Sequence, residues 1–243
     1  MKKAIVVILA VILVFAAIGT GVYFGFCTGE CGDNVKWSFN PINKTLTISG
    51  EGAMYDYEIN EAPWLKESFI IPVNKVVVEE GVTYIGEYAF SSTLHIESVS
   101  LPEGVIKIGD HAFAGAGLKS LILPNSLECI GKQSFMFNAF SEVIIPEKVT
   151  EIGMLAFEAC FELKSVNVKG SISVLEERVF ENCHKLEKLC LPSSVKEIKS
   201  EVFSGIDTLD IVFDGTQEQW DKILIEDKDN PYVMPECNIT YSK

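Results

Sequence analysis

Apolar residues recur along the chain in a two-part pattern with a period of 22 or 23 residues. Each copy reads Val-x-x-Ile-Gly-x-x-Ala-Phe, then a short variable stretch, then Leu-x-x-Val-x-Leu-Pro. The phenylalanines are Phe90, Phe113, Phe135, Phe157, Phe180 and Phe203, and their upstream aliphatic partners are Ile85, Ile108, Ile130, Ile152, Leu175 and Ile198. Because both sets keep the same steps, the pattern predicts a β-rich repeat solenoid, in which each unit buries its apolar side by stacking on its neighbours.

The second half of each repeat predicts a short strand that ends at a turn, in most copies at a proline. This slot is occupied by Ile96–Pro102, Leu118–Pro124, Phe140–Pro146, Leu163–Lys169, Leu186–Pro192 and Leu209–Asp214. Proline cannot donate to a strand ladder and therefore ends the strand. Stacked in parallel about 4.8 Å apart, the six segments are predicted to form one continuous sheet.

The first half of each repeat predicts a second, shorter extended segment. In the copy Val149–Gly153 the glycine turns the chain, and Ala156–Phe157 then lies in a tight helical or irregular turn. A phenylalanine in this slot of every unit predicts a column of aromatic rings through the interior.

The segments on either side of the repeats have a different pattern. Alternating apolar residues in Val35–Phe39 and Thr45–Gly50 lie on either side of an Asn/Pro turn and predict a hairpin. After the repeats, Gln217–Ile223 has helical spacing and Ile239–Tyr241 resembles a final strand. We interpret residues 1–26 as a signal anchor, 27–75 as an N-terminal β cap, 76–213 as six repeats and 214–243 as a small C-terminal cap, since an open end of a solenoid must be shielded from water.

Strand alternation also identifies the side chains that point away from the core. One outward column holds Ser100, Ile122, Ile144, Asn167, Cys190 and Val212, and its neighbour holds Ser98, Ser120, Glu142, Ser165, Lys188 and Asp210. The first column is half apolar, which is typical of a protein-binding surface. Two alternatives stay open: β-branched residues suit any strand, and another segment of the chain could cover the sheet.

The first 26 residues indicate export. Lys2 and Lys3 precede an uninterrupted apolar stretch, Ala4–Phe26, which is long enough to cross a bilayer of about 30 Å. We favour a retained single-pass anchor because no clear small-residue cleavage site ends the stretch. A cleaved signal and a secreted protein remain the alternative. Either way, the basic end stays in the cytoplasm and the body is expected outside the cell.

The charge of the chain limits its partners. A formal net charge of -14 repels the phosphates of nucleic acids and disfavours peripheral binding to anionic lipid. We therefore predict no nucleic-acid partner.

Residues that carry chemistry are few and scattered. His95, His111 and His184 have no acidic or nucleophilic partner at an informative spacing, and no phosphate-binding loop or hydrolase motif is present. Cys160, Cys183 and His184 are candidate zinc ligands, although a ladder of buried cysteines filling an interior slot is the favoured interpretation. We predict no catalytic site, no metal site and no cofactor. A disulfide among Cys27, Cys31 and Cys237, outside the repeats, stays open.

These residues resemble the BspA-type leucine-rich repeat family, the 22–23-residue class also described from treponemes. The resemblance is carried by Leu101–Phe113, Ile145–Phe157, the cysteines Cys160 and Cys183, the first segment Cys31–Trp37 with Leu46–Met54 and Ala62–Trp64, and the last segment Gly215–Trp220. The fifth unit departs from the family pattern, with Lys169–Gly170 for Leu-Pro and Leu175–Glu176 for Ile-Gly. The sixth has Lys199 for Gly. These departures put the local geometry in doubt and leave the fold unaffected.

The resemblance implies a leucine-rich-repeat fold and a bacterial protein that is secreted or displayed at the surface. The family is associated with attachment to host proteins, host cells or other bacteria. We therefore expect a non-enzymatic surface protein that binds an extracellular protein or glycan through its outward strand face. The main alternative is a structural element that associates with itself or with the producer's envelope. A module that delivers a glycan hydrolase to its substrate is a weaker third hypothesis.

Overall fold

The computed structural model describes residues 27–65, 72–226, 230 and 235–243. The predicted membrane segment, residues 4–26, lies outside these ranges. Within them, no helix has the length and apolar character needed to cross a bilayer.

The regular secondary structure of the described residues is almost entirely short strands, which turns and irregular segments connect. In chain order they are β1 Cys27–Glu30, β2 Val35–Asn40, β3 Thr45–Gly50, β4 Gly52–Ala53, β5 Lys75–Val78, β6 Val82–Ile85, β7 Ser98–Ser100, β8 Lys107–Ile108, β9 Cys129–Ile130, β10 Glu142–Ile145, β11 Glu151–Ile152, β12 Ser165–Val168, β13 Val174–Leu175, β14 Lys188–Pro192, β15 Glu197–Ile198, β16 Thr208–Asp214, β17 Leu224–Ile225 and β18 Glu236–Tyr241. The described helical elements are a single turn of 3₁₀ helix, Pro63–Leu65, and α1, Gln217–Trp220.

Two sheets run along the solenoid. The front sheet consists of the ladders β1-β2-β3-β5-β7 and β10-β12-β14-β16-β18, and the back sheet consists of β11-β9-β8-β6-β4 and β13-β15-β17. Strands β1 to β3 pair antiparallel, and the later described strands pair in parallel. The predicted hairpin is confirmed, with Trp37 opposite Ile48 and the Asn40 side chain accepting the Ile42 N–H at 3.0 Å.

The column of phenylalanines is confirmed as the core. Each of the six rings is at most 1% exposed. From Phe90 to Phe180 successive rings are stacked, and the centroid distances run from 5.1 Å at the first pair to 5.9 Å at the last. At the start of the column Trp64 stacks on Phe90 at 5.3 Å and donates its indole N–H to the Ala89 carbonyl at 2.7 Å. The loop before the repeats thus supplies an aromatic ring that extends the column at its N-terminal end.

The end of the chain is close to the sequence expectation. The helix predicted over Gln217–Ile223 is shorter in the structure, where α1 ends at Trp220. Thr216 caps it through a reciprocal pair of bonds with Gln219, and Trp220 meets Phe213 edge to face at 5.3 Å. The final strand, β18, begins at Glu236 and pairs along β16.

The prediction of one continuous front sheet is wrong at a single segment, Leu118–Pro124. At the start of this segment, the side chain of Asn138 in the next repeat accepts the N–H groups of Gly117 and Leu118 at 3.1 and 2.9 Å. Between Ser120 and Leu123 no backbone bond to another described segment is formed, so the ladder stops at β7 and resumes at β10. Leu121 and Leu123 are nevertheless only 7% exposed. The apolar pattern therefore predicted burial correctly, but burial does not require strand pairing.

The back sheet is broken too, between β11 and β13. In the earlier repeats a glycine allows each turn to pack closely against the backbone of the preceding turn. A Cβ atom on Gly131 would lie 2.6 Å from the Gly109 carbonyl carbon, and a Cβ atom on Gly153 would lie 2.5 Å from the Lys132 backbone nitrogen. The fifth unit has Glu176 in this slot, and the break falls there. The sixth unit, with Lys199, pairs normally, and the Lys199 N–H reaches the Leu175 carbonyl at 3.0 Å.

Gly153→Ala is expected to lower the free energy of unfolding by about 1–3 kcal/mol, because the added methyl group would overlap the backbone of the preceding turn. Glu176→Ala is the matched control, since the equivalent position one unit later already carries a side chain, and its effect should stay within about 0.5 kcal/mol. Urea unfolding of both variants measures the difference. Equal losses of stability in the two variants would show that the close contact between turns does not require glycine at this position.

Candidate binding face

The front sheet brings the predicted outward residues into two columns. In the second ladder, the strand register aligns Ile144 with Asn167, Asn167 with Cys190, and Cys190 with Val212. The same register aligns Glu142, Ser165, Lys188 and Asp210. Ser98 and Ser100 belong to β7 in the first ladder, whereas Ser120 and Ile122 lie in the break between the ladders.

Exposure is uneven along these columns. Ile122 is 80% exposed and Ile144 is 54% exposed, although their neighbours Val143 and Ile145 are buried. Among the other candidates, Ser100, Ser120, Glu142, Lys188 and Asp210 are exposed, while Ser98, Ser165, Asn167, Cys190 and Val212 are half-buried. The apolar part of the face is therefore concentrated at the break in the ladder rather than spread along the sheet.

A groove with a volume of about 640 Å³ opens at this break. Leu121, Ile122 and Leu123 line one side, and Glu142, Val143 and Ile144 line the other. The groove was not predicted from the sequence, because Leu118–Pro124 matches its sister segments in pattern. We call it the ladder-break groove.

The edge of β10 that borders this groove carries unpaired backbone groups. On the opposite edge, the Ser141 carbonyl accepts the Ser165 N–H at 3.3 Å and the Ile145 carbonyl accepts the Lys169 N–H at 3.0 Å. Since backbone groups alternate between the two edges of a strand, those of Glu142 and Ile144 point toward the groove. No backbone partner for them lies among the described residues.

Charged side chains lie at both ends of the groove. Glu142 lies at the start of β10, whereas Glu147, Lys148 and Lys169 line the far end. Within the described ranges, none of these four charged groups forms an ion pair. The groove is therefore acidic at the start of the strand and carries two ammonium groups and one carboxylate near its end.

A second exposed feature was not anticipated from the sequence. Phe137 and Phe161 are about half exposed, with ring centroids 6.3 Å apart, and Phe161 stacks on His184 at 6.0 Å. They occupy the variable stretch of three consecutive repeats. Phe161 and His184, each four residues after the buried phenylalanine of its repeat, were the available signal, whereas Phe137 follows its phenylalanine by two residues and lies out of this register.

Two cysteines of the repeats, Cys160 and Cys183, are interior residues. Their thiols are buried and donate to the carbonyls of Phe135 and Phe157 at 3.3 and 3.1 Å. Burial raises the pKa of the Cys183 thiol to about 12 and also raises the pKa of Cys160. His184 is exposed, with its Nδ1 atom 2.6 Å from the Gly205 carbonyl. This geometry is that of a buried ladder, and no described group of three or more His, Cys, Asp or Glu is arranged to hold a metal ion.

The cysteines outside the repeats are unpaired in the structure. Cys27 is exposed at the start of β1, Cys31 is buried just after the end of β1, and Cys237 lies in the last strand, β18. Because the first and last strands lie at opposite ends of the front sheet, Cys237 is not positioned to bridge to either partner within one chain.

Stacked parallel strands in two sheets around a phenylalanine column define a leucine-rich-repeat solenoid. The family model for the BspA type leucine rich repeat region matches residues 83–210 in six copies. The chain therefore belongs to the BspA-type leucine-rich repeat family.

Solved structures of bacterial leucine-rich repeat proteins share the fold. One from Eubacterium ventriosum is 22% identical with a TM-score of 0.56, over 90% of this chain and 73% of its own. The Treponema pallidum leucine-rich repeat protein is 26% identical with a TM-score of 0.53, over 72% of this chain and 88% of its own. The pneumococcal vaccine antigen PcpA is 21% identical with a TM-score of 0.54, over 76% of this chain and 49% of its own. A comparison with curated proteins finds no match.

Proposed function

We propose that this protein is a non-enzymatic surface protein that binds an extracellular protein or glycan, on a host or another bacterium, through its front sheet. The observation that carries the proposal is the pair Ile122 and Ile144, 80% and 54% exposed on the two sides of the ladder-break groove. Large apolar side chains clustered on an open surface are typical of recognition sites. Membership of the family and the fold shared with a pneumococcal vaccine antigen support a role at the cell surface.

The proposal includes attachment to the membrane through residues 4–26. The apolar run in the sequence supports it. The body would then face outward, where the front sheet meets its partner. Protease treatment of intact cells is the direct test: an anchored protein loses its body to the protease while a secreted one is recovered from the medium.

The double variant Ile122→Asp with Ile144→Asp is expected to weaken partner binding at least tenfold, because two charges would have to be desolvated in the contact. The purified full-length chain would be screened against matrix proteins, host cells, glycans and the producer's own surface. Ile106→Asp with Leu224→Asp is the matched control, since these residues are 45% and 59% exposed away from the groove. Thermal unfolding would check that both variants fold. If the variant Ile122→Asp with Ile144→Asp bound the partner as tightly as the unaltered protein, the proposal would be contradicted.

Self-association is the second candidate function, and one observation favours it. Strand β18 pairs with β16 on one side, and its other edge has no strand partner among the described residues. A six-residue open edge is a template for pairing with another chain. Sedimentation of the full-length chain separates the candidates: reversible association that persists in the Ile122→Asp and Ile144→Asp variant supports assembly through β18, and a monomer at all concentrations contradicts it.

A further inference from the structure

Strand β18 forms the last edge of the front sheet, and half of its backbone groups point away from the protein. The N–H groups of Glu236 and Ser242 donate to the Asp207 and Phe213 carbonyls at 3.0 and 3.1 Å, so the even-numbered residues of this segment face β16. Backbone groups alternate between the two edges of a strand. The residues whose N–H and C=O groups point away from β16 are therefore Cys237, Ile239 and Tyr241.

This outer edge lacks the features that protect most exposed strand edges. Short strands, bulges, and lysine or proline within the strand all hinder pairing with another chain. β18 pairs with β16 over six residues without a shift in register, and its sequence, Glu-Cys-Asn-Ile-Thr-Tyr, contains neither lysine nor proline. Among the described residues, nothing bonds to the outward backbone groups of β18. The edge is thus open to a further strand.

The side chains of the same three residues form a half-covered apolar row. Cys237, Ile239 and Tyr241 pack against the core of the repeats but remain half-buried, because β18 is the last strand of its ladder. Asn238 and Thr240 alternate with them and are exposed. An added strand covers such a row with its own side chains on the same face. The edge therefore fits a strand that has apolar residues at alternate positions, as β18 itself has.

We propose that the strand which pairs with this edge is β18 of a second copy of the chain, antiparallel and related by a two-fold axis at Ile239. The inference rests on the self-association described above and deepens it by naming the surface and the register. Because outward groups must meet outward groups, Ile239 lies opposite its own copy and Cys237 lies opposite Tyr241. All outward N–H and C=O groups of these residues are then paired. On the other face, Asn238 lies opposite Thr240.

The opposite end of the front sheet fits this edge less well. β1 also has one edge without a strand partner among the described residues, but it is four residues long and includes Gly29, which has no side chain to cover Ile239. Pairing of β18 with β1 would also repeat from copy to copy without closing, whereas two-fold pairing closes at the dimer. The single charged residue of β18, Glu236, lies at the end of the paired stretch, opposite Ser242. The charge on this strand therefore does not oppose self-pairing.

Sedimentation of the full-length chain over about 1–100 μM tests whether the dimer exists. Detergent shields the apolar stretch Ala4–Phe26 during the measurement. A reversible equilibrium that stops at the dimer is expected, because the pairing uses the outer edge of β18 in both copies. A monomer at every concentration would overturn the proposal. Growth beyond the dimer would overturn it too, since that result indicates head-to-tail pairing.

Ile239→Pro tests the backbone of the edge. Proline removes the outward N–H on the two-fold axis, which β16 does not use, so the fold should be kept. The dissociation constant of the dimer should rise at least about tenfold. Ile239→Val is the matched control, because valine is close to proline in size but keeps the N–H, and it should change the constant less than about threefold. Thermal unfolding checks both variants, and equal effects on the dimer would place the contact elsewhere.

Tyr241→Cys tests the register. The introduced thiol would face the native Cys237 of the second copy, with the two Cα atoms about 5.5 Å apart and within disulfide range. Within one strand the two positions are about 13 Å apart and cannot be bridged. Mild oxidation is expected to give a covalent dimer in which mass spectrometry finds positions 237 and 241 joined.

Thr240→Cys is the matched control for the cross-link, because this side chain lies on the other face of the strand. It should give no more covalent dimer than the unaltered chain. Equal yields from the two variants would contradict the register. A bridge from position 241 to Cys27 would instead indicate pairing of β18 with β1 and would overturn the two-fold arrangement.

These outcomes are separable from those of the proposed function, because the outer edge of β18 and the ladder-break groove lie at opposite ends of the second ladder. If the dimer is absent while partner binding is still lost in the Ile122→Asp and Ile144→Asp variant, only the dimer inference falls. If association persists in Ile239→Pro, the chain associates through another surface and the β18 pairing falls. If the dimer forms while no partner depends on the groove, the binding proposal falls instead.

Discussion

Phe135→Ala is expected to lower the free energy of unfolding by about 3–5 kcal/mol. Phe135 is fully buried in the middle of the aromatic column, with Phe113 and Phe157 stacked on its two sides at 5.6 Å each. Phe140 meets its edge at 6.4 Å. Its neighbours are held by their own turns, so they cannot move into the space that the ring leaves. The cavity would therefore persist in the folded state.

Phe137→Ala is the internal control for this experiment. Phe137 lies two residues along the same turn but is 50% exposed, so its truncation should cost less than about 1 kcal/mol. Urea unfolding of the two variants, followed by far-ultraviolet circular dichroism, measures both values. If Phe135→Ala lost no more stability than Phe137→Ala, the aromatic column would not be the main source of cohesion between the repeats.

Asn138→Leu is expected to be nearly as damaging, with a loss of about 2–5 kcal/mol. Asn138 is buried, and its Oδ1 atom accepts the N–H groups of Gly117 and Leu118. Its Nδ2 atom donates to the Phe113 carbonyl at 2.8 Å and the Phe135 carbonyl at 2.9 Å. Leucine has a similar volume but no polar atoms, so the N–H groups of Gly117 and Leu118 would lose their acceptor, and the Phe113 and Phe135 carbonyls would each lose one donor.

Cys160→Ala provides the comparison, because Cys160 occupies the same slot one repeat later. Its thiol donates one bond, to the Phe135 carbonyl at 3.3 Å, and its loss should cost about 1–2 kcal/mol. Thermal and urea unfolding would rank the two variants. A smaller loss for Asn138→Leu than for Cys160→Ala would mean that Gly117 and Leu118 find other partners when the amide is removed.

The Asn138 variant also bears on the ladder-break groove. The side chain anchors the start of the segment that fails to pair with β10, while the Lys119 N–H bonds to the Glu97 carbonyl at 3.0 Å. Releasing the first of these anchors would free the segment to approach β10. Partner binding by this variant should fall together with its stability if the anchored segment keeps the groove open.

The repeats and their core were predictable because the signal for each is local and recurs. A residue that must be buried in every turn appears at the same place in every copy, so six phenylalanines in phase indicated both the solenoid and its aromatic column. The break in the back sheet also had a signal. The fifth unit combines Lys169–Gly170 with Leu175–Glu176, and the ladder between β11 and β13 is interrupted there.

The binding face was predictable in part, and for the same reason. Strand alternation placed Ile122 and Ile144 on the outer side of the sheet, where the structure has them exposed. It treated every member of the column alike, although Cys190 and Val212 are half-buried. The exposure of an outward side chain depends on which neighbouring strands and loops cover it. A periodic apolar pattern does not predict that coverage.

By itself, the sequence determined the repeat period, the interior residues and the family, since each depends on which side chains avoid water. Only the tertiary structure decided where the front ladder breaks, because Leu118–Pro124 has the same apolar pattern as its paired sisters. Pairing depends on whether backbone donors and acceptors meet at bonding distance. Here the Asn138 side chain accepts the N–H groups of Gly117 and Leu118. The backbone groups of Ser120–Leu123 that follow meet no partner in β7 or β10, so the groove opens at this point.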